Sequence, residues 1–173
     1  VNVNGSELTF EFRGKSGKQH SIGLRERRVA KIVRRCKQLP GAELFQYVDE
    51  HGIRHSIGSH DVNDYLREIS GADFTAKDFR TWAGSVSALD ALLECPPCKS
   101  ESELKKTLSE VVKNVAERLG NTATVCRKHY IHPAVFAAFG VDGLAALRAR
   151  AAPRRDSSRA ELALMELLNG LSH

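Results

Sequence analysis

Residues 119–130 read Leu-Gly-Asn-Thr-Ala-Thr-Val-Cys-Arg-Lys-His-Tyr. Leu119 closes a strongly periodic helical stretch. Gly120 tolerates positive φ and so suits the end of a helix. Thr122 or Thr124 can cap a new short helix. Arg127, Lys128, His129 and Tyr130 fall on its later turns. A phenol beside a cluster of cations suits attack on a phosphate, because the developing charge and the phosphate oxygens both need neutralising. The same pattern also fits a half-buried tyrosine on a basic surface helix.

Upstream of this stretch, Ser100 or Ser102 caps a long helix with Leu104, Leu108, Val111, Val112, Val115 and Leu119 on its buried face. Before it, Thr75 starts a helix, with Asp78 three residues on as an imperfect capping box. Its expected core side is Phe79, Trp82, Ala83, Val86 and Leu89. Lys77 and Arg80 are three apart and project together near its start. A helix capped by Ser59 carries Val62, Tyr65, Leu66 and Ile69 as its apolar stripe and ends at Gly71. Leu44 to Val48 reads as a short strand, followed by a turn at Gly52. Residues 24–39 read as a helix with Val29, Ile32, Val33 and Cys36 on one face. Arg27, Arg28, Lys31, Arg34 and Arg35 lie on the other, a face that suits either solvent or phosphate.

The amino end is different in kind. Val1 and Val3 alternate with asparagines, Asn4-Gly5 signals a hairpin turn, and Leu8, Phe10 and Phe12 form one face of a strand. Gly14-Lys15-Ser16-Gly17 is the next turn, and Lys18 to Gly23 returns as a third strand. Lys15 therefore stands at a hairpin tip. The Gly-Lys-Ser triplet is not a nucleotide-binding loop: Thr9 occupies the place of the first glycine, and a strand follows where a helix is needed.

Downstream, Pro133 starts a short helix through Phe139, and Leu144 to Arg150 reads as another. Residues 151–158 form an Arg-rich linker. The last helix, Arg159 to Leu171, carries Leu162, Met165, Leu168 and Leu171 on one side, to pack in cis or on a neighbour. The fold class is α+β: a small amino-terminal antiparallel sheet packed on a mostly helical domain.

The 173 residues suit one domain, 1–150, followed by the linker and terminal helix at 151–173. With 42% hydrophobic residues the chain can bury a core, and its net charge of +5 permits a nucleic-acid partner. No apolar run approaches membrane-spanning length, and no signal peptide opens the chain. Val1 begins inside an apparent strand without an initiator Met, so a longer protein is expected. Cys95 and Cys98 form a lone C-x-x-C without two further ligands at zinc spacing, so no metal is expected.

Four features line up in order: the Gly14-Lys15 hairpin tip, Lys77-Asp-Phe-Arg80-Thr-Trp, Leu-Gly-Asn121, and Tyr130 nine residues later. Together they resemble the catalytic domain of type IB DNA topoisomerases, most like the small poxvirus-type enzymes and their bacterial relatives in the tyrosine recombinase/topoisomerase superfamily. The resemblance covers residues 1 to about 140 and implies the roles of several residues. Tyr130 is the nucleophile that forms a 3′-phosphotyrosyl link, and Lys15 is the general acid for the leaving 5′-oxygen. Arg80 donates to the non-bridging phosphate oxygens, and Asn121 adds a hydrogen bond there. Lys77 binds DNA, with Lys18, Arg127 and Lys128 as further DNA contacts. The implied activity is ATP- and metal-free relaxation of supercoiled duplex DNA. It needs no cofactor, nucleotide or membrane, and implies a monomer in the bacterial cytoplasm, on the nucleoid.

The chain departs from the family pattern in two places. Poxvirus-type enzymes usually carry histidine where Asn121 stands, and an amide cannot become cationic. The family also uses an arginine upstream of the hairpin, before Val1, and an amino-terminal domain that clamps DNA. Two other readings stay open at this point. A tyrosine recombinase or integrase shares the chemistry but usually has H-x-x-R in place of Lys77-x-x-Arg80. A non-catalytic helical DNA-binding module would use Tyr130 only for packing.

Overall fold

The computed structural model describes residues 1–14, 17, 19–41, 43–140, 144, 147 and 158–170. The fold is α+β, with a small antiparallel sheet at the amino end and helices dominating the rest. Contacts divide the chain into two compact units, Val1–Phe74 and Thr75–His173.

In the first unit, β1 (Asn2–Asn4), β2 (Glu7–Arg13) and β3 (Gln19–Arg25) form an antiparallel sheet in the order β1-β2-β3. Leu8 faces Val3 on one side and Leu24 on the other. The β1–β2 turn needs a glycine, and Gly5 supplies φ 57°. Helix α1 (Arg27–Cys36) is capped by the Glu26 carboxylate, which accepts from Val29 N at 2.5 Å. Its Ala30 and Val33 close over Leu8, with Val1, Val3, Phe10, Val29 and Leu44 around them. Arg34 of α1 donates to Gly5 O at 3.0 Å, and Lys37, its C-cap, donates to Val1 O at 2.9 Å, tying the helix to the ends of β1.

Two strand and helix faces differ from expectation. Phe12 is half exposed and stacks on His20 across β2–β3, with ring centroids 5.2 Å apart. Ile32 is exposed, and Ala30 joins the expected Val33 in the core against Leu8. A second hairpin pairs β4 (Gln46–Val48) with β5 (Arg54–Ser56), a strand not expected from the sequence. Helix α2 (Ser59–Ser70) starts after Gly58 and ends at Gly71, but none of its residues is buried, so the stripe at Val62, Tyr65 and Ile69 is exposed.

In the second unit, α3 (Ala76–Glu94), α4 (Glu101–Leu119), α5 (Ala123–His129), α6 (Pro133–Ala138) and α7 (Arg159–Asn169) enclose one core. Ser100 caps α4 by accepting from Glu103 N at 3.2 Å. The expected face of α4 is present: Leu108, Val111, Val112 and Val115 are buried, and Leu104 and Leu119 pack at the edge. Helix α3 departs from expectation in its first half: Leu89 is buried and Val86 packs on the core as expected, but Phe79, Trp82 and Ala83 are exposed. Its buried side is Ser85, Ala88, Leu89, Leu92 and Leu93, while Phe79 and Trp82 are 58% and 37% exposed. The buried face thus begins at the small residues Gly84 and Ser85 and continues through Ala88, Leu89, Leu92 and Leu93.

Helix α7 packs in cis on α3 and α6, through Ala160, Ala163 and Leu164. Met165, expected on its apolar side, is half exposed. Leu144 and Leu147 are buried in the same core, but the rest of the helix expected at 144–150 and the linker at 151–157 lie outside the described residues. Cys95 ends α3 and its thiol lies 3.2 Å from Ala91 O, while Cys98 is buried in the core. Among the described residues no group of His, Cys, Asp or Glu is placed to hold a metal, and no helix is long and apolar enough to cross a membrane.

Candidate active site

Three stretches meet in the second unit, the start of α3 joining the adjacent end of α4 and α5 from 39 residues away. The first is the start of α3. Thr75 N and Thr75 Oγ1 both donate to the Asp78 carboxylate, at 2.8 and 2.7 Å, which anchors the first turn. These bonds, the Thr75 hydroxyl first, hold the Asp78 carboxyl below the usual carboxylate range. With its acid engaged there, this turn presents Lys77 and Arg80 as exposed cations.

The second stretch is the end of α4. Gly120 adopts φ 68°, a left-handed C-cap open to glycine at little cost, and Asn121 N donates back to Ala116 O at 2.9 Å. This leaves the Leu119 carbonyl pointing out of the helix end. Two side chains converge on it: Arg80 Nη2 donates at 2.7 Å and Asn121 Nδ2 at 2.9 Å. Arg80 and Asn121 thus share one acceptor, and the bond takes one of the five N–H donors of the guanidinium.

The third stretch is α5. Thr122 is its cap, accepting from Val125 N at 3.3 Å. The helix lasts seven residues and delivers Tyr130 as its C-cap, with Tyr130 N donating to Cys126 O at 2.9 Å. Cys126 is the buried anchor of this helix. Burial pushes its thiol up, and the nearby Arg80 charge opposes that shift. The Arg80 guanidinium carbon lies 4.9 Å from the centre of the half-buried Tyr130 ring, within cation–π range. Arg80, Asn121 and Tyr130 are therefore brought together.

The other expected site residues are placed differently. Arg127 and Lys128 line a groove of about 590 Å³ with Lys105, Ser109, Thr124 and Phe136, and the lining includes neither Tyr130 nor Arg80. Arg127 stacks there on Phe136, 4.4 Å from the ring centre. Lys15 and Lys18 lie outside the described residues; the β2–β3 register places Arg13 opposite Gln19 on either side of them.

Residues that the sequence reading passed over also touch the site. Thr81 Oγ1 lies 3.2 Å from His129 O, and Ser85 Oγ accepts from His132 N at 2.9 Å. Gly84 lies beneath the Tyr130 carbonyl. The available signal was a glycine inside a helical pattern, which costs about 1 kcal/mol against alanine and so points to a packing reason.

Two comparisons bear on this arrangement. Residues 1–142 match the family described as eukaryotic DNA topoisomerase I, catalytic core. A DNA topoisomerase 1B of Acanthamoeba polyphaga mimivirus is 31% identical over 139 residues, covering 76% of this chain and 41% of the viral protein. The chain spans about two fifths of the length of that relative. With most of its length matched by that catalytic-core model, including all three converging stretches, the chain belongs to the DNA topoisomerase I catalytic-core family.

Proposed function

We propose that this chain carries the strand-cleaving and religating chemistry of a type IB DNA topoisomerase. Tyr130 Oη attacks a backbone phosphorus of duplex DNA, giving up its proton to water. The bond from phosphorus to the 5′-oxygen breaks, leaving a 3′-phosphotyrosyl link and a 5′-hydroxyl. Arg80 donates to the non-bridging oxygens as charge builds on them, where a planar fork suits two acceptors. Asn121 adds one neutral hydrogen bond. Lys15 protonates the departing 5′-oxygen. Religation is the reverse, and because the phosphotyrosyl bond conserves the energy of the broken linkage, no ATP is consumed. Lys77 binds DNA beside the scissile phosphate, and Lys18, Arg127 and Lys128 neutralise phosphates further away.

The observation that carries this reading is the convergence of Arg80 and Asn121 on Leu119 O, with the Arg80 guanidinium beside the Tyr130 ring. A tyrosine used only for packing has no need of that cation. The packing of α7 on its own α3 and α6 favours a monomeric topoisomerase over a recombinase that exchanges a terminal helix. The mimivirus relative, a DNA topoisomerase 1B, supports the type IB reading. A bacterial origin and a nucleoid location rest on the sequence resemblance alone.

The test is relaxation of negatively supercoiled plasmid by the full-length protein containing this chain, in EDTA and without nucleotide, beside a strand-exchange assay. Relaxation without exchange is expected. Exchange between paired sites would assign the chain to the recombinases instead.

A further inference from the structure

Helix α3 does more than carry Lys77 and Arg80. Its next turn holds Thr81, Gly84 and Ser85, at positions i, i+3 and i+4, so all three lie on one face. Residues 129–132 run across that face. Thr81 Oγ1 lies 3.2 Å from His129 O and 3.1 Å from Lys77 O in its own helix, so its single proton is shared between the two. Ser85 Oγ donates to Thr81 O at 2.7 Å and accepts from His132 N at 2.9 Å, which satisfies a hydroxyl that is 1% exposed. Between these two contacts the Tyr130 carbonyl rests on Gly84. A Cβ added there would overlap Tyr130 O, lie 3.1 Å from its carbonyl carbon and 3.2 Å from Leu119 Cδ1.

A glycine at this site is costly in itself. In a helix interior it is about 1 kcal/mol worse than alanine. Its φ is not in the left-handed region, so backbone conformation does not demand it. The demand is steric: backbone, not a flexible side-chain end, occupies the space where a Cβ would go. The atoms it would displace belong to Tyr130 and to Leu119, whose carbonyl holds Arg80 and Asn121.

We infer that the Thr81–Gly84–Ser85 face of α3 is the seat that fixes the Tyr130 backbone relative to Arg80, with Gly84 as a positioning residue that touches neither DNA nor the reacting atoms. The inference rests on the reading of Tyr130 as the nucleophile. One helix then carries the phosphate-binding guanidinium and, one turn later, the support for the attacking residue. Distance between the two is set within a single rigid element.

A shift of about 1 Å at a reacting group can cost on the order of 10²-fold in rate. Gly84→Ala in the full-length protein is therefore expected to slow single-turnover adduct formation about 10²-fold at saturating DNA. Religation of adduct trapped before a 5′-hydroxyl strand is added should slow by a similar factor, because both directions use the same geometry. DNA affinity should stay near that of the parent. A substrate with a 5′-bridging sulfur should not restore the rate, since the leaving group is not the defect. Thr81→Val and Thr81→Ser form a second pair that keeps the helix intact: valine should slow cleavage, and serine, which keeps the hydroxyl, should restore it. Three results would overturn the inference: near-parental cleavage by folded Gly84→Ala, a loss seen purely as weaker binding, or full rescue by the sulfur substrate. If Gly84→Ala does not fold, equal rates for Thr81→Val and the parent would overturn it. Tyr130→Phe serves as the control. Adduct persisting in that variant would refute the nucleophile reading and the seat with it, whereas loss of adduct there with normal Gly84→Ala kinetics would refute the seat alone.

Discussion

Replacing Arg80 by lysine separates the charge of this residue from its shape. The guanidinium donates to Leu119 O at 2.7 Å and lies 4.9 Å from the Tyr130 ring centre. For stability, a hydrogen bond contributes about 0.5–1.5 kcal/mol net. An exposed cation–π contact adds about 0.5–1 kcal/mol. Arg80 is exposed, so the lower ends apply and the fold should lose roughly 1 kcal/mol. For the reaction, losing one donor aimed at developing oxyanion charge costs about 10²–10³-fold, or about 2.7–4 kcal/mol. The kinetic effect should therefore exceed the effect on stability. Lysine keeps the positive charge but cannot hold Leu119 O while presenting two parallel donors to a phosphate. Arg80→Lys is expected to lower single-turnover cleavage about 10²-fold and Arg80→Ala still further. DNA affinity should change little, since one cation among several is altered. The assay is adduct formation at saturating protein on a short duplex, with thermal unfolding of each variant alongside. Cleavage by Arg80→Lys within threefold of the parent would refute a role for the planar fork. Near-parental cleavage by Arg80→Ala would remove Arg80 from the chemistry altogether.

Lys15→Ala should slow cleavage of a normal phosphodiester by about 10²–10⁴-fold. A 5′-bridging sulfur substrate should recover most of that loss, and equal slowing of both substrates would make Lys15 a phosphate contact, not the acid. Phe139 is 2% exposed in the core of the second unit, so Phe139→Ala should cost about 3–5 kcal/mol in denaturant unfolding; a loss below about 1 kcal/mol would place that side chain outside the cooperative core. Asp78 is held below the usual carboxylate range, mainly by the Thr75 hydroxyl. A depressed folded value means that its contribution is complete above the ordinary Asp value of about 3.9 and is lost as pH falls through the lower folded value. Asp78→Asn should therefore destabilise the protein at neutral pH and converge with the parent under strong acid in thermal unfolding, and a pH-independent difference would contradict this.

The element boundaries around Tyr130 were legible because they depend on local chemistry. Gly120 ends α4 by its left-handed φ, Thr122 caps α5, and the Thr75–Asp78 pair anchors α3. The burial of α3 was legible only in part: Leu89 is buried and Val86 packs against the core as expected. Counting Phe79 and Trp82 as core follows hydrophobicity, but the chain buries Gly84 and Ser85 instead because residues 129–132 lie on them. A close backbone approach selects small residues, and hydrophobic periodicity is blind to that. The stripe of α2 failed for another reason: Val62, Tyr65 and Ile69 have the right spacing, but spacing cannot say whether a partner surface exists. For the site itself, only the family resemblance, not hydrophobic pattern or spacing, grouped Arg80, Asn121 and Tyr130. It did not foretell that a backbone carbonyl, Leu119 O, is what holds the first two together.

The central claim is that Tyr130 forms the covalent link to DNA. The direct measurement is to trap the adduct on a duplex labelled at one strand end, digest it with protease, and identify the modified peptide by mass spectrometry. The account predicts a single nucleotide-bearing tyrosine at position 130, joined to the 3′ side of the break, with a free 5′-hydroxyl opposite and no adduct from Tyr130→Phe. A link at Tyr47 or Tyr65, or a tyrosine joined to a 5′ end, would contradict it.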